Sequence, residues 1–345
     1  MNGNSDFPYE INEVEPEELA ELQKTFNLAF TDGYVRVGPK GYFVRSGYRK
    51  EAAKIYNMSL RPDDIWVVTF PKSGTTWVQE LVWMVANDFD YVKSSSIPLV
   101  DRFPFLEMST IVNSDKAQAK MKELCGGNKK HMEIAEMLTK SVSLAEQLPS
   151  PRFIKTHLPL TLLPPSLLDT TKVVYVARDA RDVAVSYFHH YKLMTFMGYY
   201  GDFKDYWASF VKGDVEDCPY FEHVKEFWEQ RQHPNLLFLF YEDLLKDLPA
   251  GVRRVAQFLG KHPSEAQVTA LSEYLTFDNF KKNKSVNFEV FKELGWSDKN
   301  MSFMRKGKAG DWRDYFDAEM AAQAQQWIDD NLRGTDLCFP EHDPK

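Results

Sequence analysis

The sequence predicts an α/β fold: a central parallel sheet flanked by helices on both faces, with a phosphate-binding loop of the P-loop NTPase kind at its first strand. Three observations carry this. Short, continuous apolar runs recur along the chain, as strands buried on both faces require. Helical stretches separate those runs, and strand–helix alternation implies parallel strands. With 345 residues, 43% of them hydrophobic, the chain can bury the core such a fold needs. A single domain spanning 1–345 is expected.

Residues 1–60 read as an N-terminal extension, with acidic helical character over Glu15–Phe26 and then a Gly-containing segment. The first core strand is Ile65–Phe70, followed by a short loop, Pro71–Gly74. A helix begins near Thr75 and carries Trp77, Leu81, Met84 and Val85 on one face. Residues 109–150 differ from their surroundings. They are helix-prone and amphipathic over Ala117–Leu124 and Met132–Leu148, with Gly126-Gly127 between. They read as a helical insertion, either a solvated hairpin or a lid over an acceptor pocket. Arg152–Lys155 is a second strand and Lys172–Ala177 a third. The third leads through Arg178 and a capping Asp179 into a helix containing Val183 and Tyr187. Leu236–Phe240 is a fourth, ending at Tyr241-Glu242-Asp243.

Composition narrows the function. A formal net charge of −8 disfavours nucleic acid as a partner, because phosphate backbones select basic faces. Any anion site must be a local concentration of cations. Cys125, Cys218 and Cys338 form neither a metal pattern nor a disulfide framework, so no metal is expected and a reducing, cytoplasmic setting fits. Met1–Glu10 is polar without a signal layout, and no apolar run is long enough to span a membrane. Eight Trp, 16 Tyr and 25 Phe could serve core packing, or in part the wall of a pocket for a flat apolar ligand.

The junction Lys72-Ser73-Gly74-Thr75-Thr76 has the layout of an anion site. Helix-start N–H groups and the helix dipole face the anion, Gly74 permits close approach, and Lys72 adds a mobile charge. It is not a Walker A sequence, since Lys72 precedes the glycine. A nucleotide kinase, which would also need a Mg²⁺ ligand pattern, is thereby disfavoured.

The segment Thr69-Phe70-Pro71-Lys72-Ser73-Gly74-Thr75-Thr76-Trp77 resembles the 5′-phosphosulfate loop of cytosolic sulfotransferases. Four further segments resemble that family in the expected order: Lys155–Pro159, Arg178–Tyr187, Tyr241–Leu244 and Phe303–Trp312. The resemblance implies 3′-phosphoadenosine 5′-phosphosulfate (PAPS) as sulfonate donor, adenosine 3′,5′-bisphosphate (PAP) as product, and no metal. It implies that Lys72, Ser73, Gly74, Thr75 and Thr76 hold the 5′ side. Arg178, Ser186, Arg305, Lys306 and Gly307 would hold the 3′-phosphate, with the adenine near Trp77, Tyr241 and Phe277. His157 would be the general base, Lys155 would neutralise the transferring sulfonate, and Lys72 would support the leaving oxygen. Ser186 would hold the Lys72 ammonium until the acceptor arrives.

Phe103–Met108 resembles the family's acceptor-pocket segment, which makes Phe105 and Met108 candidate walls, with core packing as the alternative. His190 falls where some relatives place an aromatic wall and would add polarity. A small lipophilic hydroxyl compound (a phenol, steroid or other alcohol) is the expected acceptor. The long 109–150 stretch is similar to the insertion of an insect member that sulfonates retinol and lets the product eliminate. After Asp311-Trp312, the Thr-Val pair of the family's dimer motif is missing, so a monomer or a different dimer is expected. A non-catalytic carrier of lipophilic ligands is the other alternative, but it has no need of Lys72, Lys155, His157, Arg178 and Ser186 together.

Overall fold

The computed structural model describes residues 7–287 and 289–341. Of the polar stretch Met1–Glu10, residues 1–6 lie outside that range. Seven strands form two sheets: β1 (Ile11–Glu13), β2 (Tyr34–Val37), β3 (Tyr42–Arg45), β4 (Ile65–Thr69), β5 (Phe153–Thr156), β6 (Lys172–Ala177) and β7 (Leu236–Phe240). The parallel sheet has the order β5-β4-β6-β7. Its central strands alternate their side chains between two apolar clusters. Trp66, Val68, Val173 and Tyr175 enter one, while Val67, Val174 and Val176 enter the other. Both clusters are roofed by helices. Val183 and Tyr187 of one helix and Val224 and Phe227 of another cover the first; Val78, Leu81, Val252 and Val255 cover the second. That is why these runs are apolar along most of their length.

Five helices bear on the site: α1 (Thr75–Ala86), α2 (Asp115–Cys125), α3 (Lys129–Leu138), α4 (Ser141–Gln147) and α5 (Ala180–Leu193). Asp179 caps α5, its side chain accepting from the Arg181 N–H at 2.8 Å.

Three expectations are corrected. The helix expected over Glu15–Phe26 is limited to Pro16–Leu22, and the Gly-containing segment after it is an antiparallel hairpin, β2 and β3. Its Gly38 and Gly41, at φ 72° and 66°, turn the chain where a side chain would be strained. Val35, Val37, Tyr42 and Phe43 share the first apolar cluster with the parallel sheet. Within 109–150, the second expected helix, Met132–Leu148, is broken at Thr139–Lys140 into α3 and α4, and Met108–Val112 adds a further turn. Tyr241–Asp243 opens a helix, Tyr241–Lys246, instead of ending a strand.

Candidate functional site

The four parallel strands deliver their C-terminal ends to one crevice, where open α/β sheets bind ligands. The residues that follow β4, β5, β6 and β7 there are Lys72, His157, Arg178 and Tyr241. They line a cavity of 1290 Å³.

On one side the backbone itself is shaped for an anion. Lys72 has φ 68° and Gly74 φ 96°, so two left-handed residues fold the loop over the start of α1. A Cβ on Gly74 would lie 2.6 Å from the Tyr241 ring. Thr75 Oγ1 is tied to Thr69 Oγ1 at 2.7 Å. Arg178 donates to the Lys72 carbonyl at 3.2 Å and the Lys308 carbonyl at 2.8 Å, and its guanidinium lies 4.4 Å over the Tyr241 ring. Trp77 anchors the adjoining wall by donating to the Leu275 carbonyl at 2.8 Å, with its ring 5.6 Å from that of Tyr241. The 303–312 segment closes this side. Asp182 of α5 accepts from the Gly310 N–H at 2.6 Å and the Trp312 N–H at 3.0 Å. Gly307, at φ 64°, lies so close to Phe277 that a Cβ would overlap its ring.

Among the described residues, Arg178 Nε and Arg305 Nη1 are buried donors without a hydrogen-bond partner. Arg178 is buried, whereas Arg305 is partly exposed and paired with Asp311; a buried donor left unused is costly, and two such guanidinium donors fit a polyanion. A nucleotide with several phosphate charges matches this set. Thr76, Ser186 and Lys306 also line the cavity. The Lys306 ammonium is turned to Asp311 and Asp314, and its side chain is 41% exposed. Ser73 is wholly buried and is not part of the cavity wall.

His157 stands between this region and an apolar one. Its Nδ1 lies 2.8 Å from the Thr69 carbonyl oxygen, which can only accept, so Nδ1 carries the proton and Nε2 is left as the basic nitrogen. Burial and the neighbouring Lys155 ammonium hold its pKa well below the ordinary range, so the ring is neutral. His223 donates from Nε2 to the His157 carbonyl at 2.8 Å and contacts the Tyr175 hydroxyl through Nδ1 at 2.9 Å. The buried Glu107 carboxylate accepts the His157 main-chain N–H. Lys155 sits 4.0 Å over the Phe105 ring. Burial lowers the Lys155 pKa and raises that of Glu107, while their mutual attraction opposes both shifts. Lys72 is pushed down to about 7 by burial and by Lys155, Arg178 and Arg305.

Phe105, Met108 and His190 all line the cavity. So do Ile111, Ile134, Leu138, Leu144 and Leu148, which makes the 109–150 insertion one wall. Ser141 of α4 fixes that wall, donating to the Leu106 carbonyl at 2.6 Å and accepting the Ser109 N–H at 2.9 Å. Sequence reasoning missed Glu107, Asp182, His223 and Asp217, the last of which lines the cavity and acts through its charge on Lys155. Asp182 and Glu107 lay inside segments already singled out, but no local pattern marks a side chain whose partner is 128 residues away, as Gly310 is from Asp182, or 50, as His157 is from Glu107.

A family model described as a sulfotransferase domain matches residues 62–336. Luciferin sulfotransferase of Photinus pyralis is 34% identical over 327 residues, covering 92% of this chain and 85% of that protein. Sulfotransferase 1E1 of Bos taurus is 32% identical over 306 residues, covering 86% and 95%. The crystal structure of retinol dehydratase in complex with retinol and PAP superposes with a TM-score of 0.91 at 46% identity, covering 97% of this chain and 100% of that one. A second retinol dehydratase structure, with androsterone and inactive cofactor PAP, gives 0.91 at 47% identity, covering 97% and 99%.

Proposed function

The chain belongs to the sulfotransferase family and is a PAPS-dependent sulfotransferase; from that premise we propose that it sulfonates the hydroxyl of a small lipophilic acceptor with His157 as general base. The observation that carries this is the His157 tautomer. With Nδ1–H committed to the Thr69 carbonyl at 2.8 Å, Nε2 is the basic nitrogen, in a cavity shared with Lys72, Lys155 and Arg178.

The step is an in-line displacement. The acceptor oxygen bonds to sulfur as its proton passes to Nε2, and the bond between sulfur and the bridging oxygen breaks with its electron pair left on PAP. Lys72 supports that oxygen and Lys155 the sulfonate, so positioning and charge do most of the work. Arg178, Arg305 and the start of α1 hold the nucleotide's phosphates, and Trp77, Tyr241 and Phe277 border its base. The apolar wall from 109–150 acts as a lid that excludes water. His157→Ala should abolish transfer at saturating acceptor while PAP still raises the melting temperature. Full transfer by that variant would overturn the assignment.

A second reading is favoured by one observation, the 46% identity to retinol dehydratase across nearly the whole chain. For an allylic alcohol with an acidic C–H, sulfonation can be followed by elimination. The carbon–oxygen bond breaks, sulfate leaves with the pair, and a proton is lost from carbon. Mass spectrometry of the retinol product separates the two readings, since one gives a sulfate ester and the other retinol less water.

A further inference from the structure

We propose that His190 is the positioning residue that holds the Lys72 ammonium away from the donor until an acceptor enters, and so limits wasteful cleavage of PAPS; this rests on the sulfotransferase reading of Lys72. Lys72 Nζ lies 3.5 Å from His190 Nδ1 and 4.5 Å over the Phe303 ring. Ser186, the residue first expected in this role, makes no such contact with Lys72 among the described residues. His190 and Phe303 meet edge-on at 6.0 Å, so the ammonium rests in a corner formed by the two rings.

Helix geometry gives this corner its meaning. Ser186 and His190 are one turn apart on the same face of α5, and both line the cavity. The Ser186 turn lies toward Arg178, on the nucleotide side. The His190 turn lies toward Leu193 and Met194, which line the apolar side. Lys72 thus rests against the turn nearer the acceptor region, one turn beyond Ser186. Beside the phosphates of a bound donor Lys72 is charged, and an ammonium only donates, so His190 must accept at Nδ1. Burial, with Lys72 and Lys155 nearby, keeps this imidazole neutral and able to do so.

Without such a hold, a desolvated ammonium crowded by Lys155, Arg178 and Arg305 would turn to the bridging oxygen of a bound donor. Water could then do what the acceptor should. Its oxygen would bond to sulfur, its proton would pass to His157 Nε2, and the sulfur–oxygen bond would break with its pair left on PAP. An acceptor seated against His190 displaces the contact and frees Lys72 when transfer is productive.

The test measures PAP release from PAPS with and without acceptor, alongside PAP binding by calorimetry. His190→Phe keeps the ring and removes the acceptor nitrogen. It should raise the ratio of acceptor-independent release to transfer at least about fivefold, the scale of one lost hydrogen bond. His190→Asn, whose amide oxygen reaches the Nδ1 position, should return most of that ratio toward wild type. Phe303→Leu, which keeps His190, should give an intermediate rise and carries the test if His190→Phe does not fold. A ratio unchanged within about twofold, or Asn behaving as Phe, would overturn the inference. If the wild-type protein fails to bind PAP, the functional reading falls with it; PAP binding with an unchanged ratio removes only the role of His190.

Discussion

A single carbonyl decides what His157 can do. Because the Thr69 oxygen takes the Nδ1 proton at 2.8 Å, the reactive nitrogen is fixed without an acidic partner. Lys72 is governed by burial instead, with its pKa lowered to about 7. The sign of its linkage follows. Between about 7 and its ordinary value, the lysine is neutral in the free protein and charged beside a phosphate, so nucleotide binding must take up a proton. At about pH 8 the phosphates of PAP are already ionised and release little. Calorimetry in two buffers of different ionisation enthalpy should show proton uptake on PAP binding at about pH 8, and PAP affinity should fall as pH rises from about 7. Lys72→Met should remove the uptake. At this scale Lys72, Lys155, His157 and Arg178 were legible, because each lies at or just beyond the C-terminal end of a strand. Glu107 and Asp217 were not, since what matters about them is which distant cation they face.

Elements were legible where one physical rule wrote them. The central parallel strands β4 and β6 are apolar along most of their length because both their faces are buried, and the capped start of α5 is local in sequence. The β2–β3 hairpin was missed for the opposite reason. Its strands are four residues each, and Tyr34, Val35, Tyr42 and Phe43 are buried by segments far along the chain. The 303–312 segment is irregular and held by others: Asp182 pins its end and Phe277 fills the space beside Gly307. Gly307→Ala puts a Cβ into that ring at φ 64°, so the segment must move away from the nucleotide side. PAP affinity should drop about tenfold or more in calorimetry, as about 1–3 kcal/mol of backbone strain would dictate, while far-UV dichroism stays that of the wild type.

Across the whole molecule, the small N-terminal sheet is joined to the catalytic core through buried charge. Arg45 at the end of β3 pairs with Glu216, and both are nearly inaccessible, at 4% and 6% exposure. Arg45 also donates to the Phe30 carbonyl at 3.4 Å, and Glu216 accepts from Tyr191 of α5 at 3.4 Å. The pair thus ties β3, the segment before Cys218 and α5 together, and both residues line the cavity. Two charges buried this deeply stabilise little as a pair, because desolvation offsets their attraction, but either one alone is strongly unfavourable. Arg45→Met should therefore cost about 3–5 kcal/mol in urea unfolding, provided one cooperative transition is observed. The double variant Arg45→Met with Glu216→Gln should recover most of that loss, since no buried charge is left unpaired. If the double variant were as unstable as the single one, the pair would be contributing attraction and packing that a neutral replacement cannot supply, and the N-terminal sheet would depend on the charge itself.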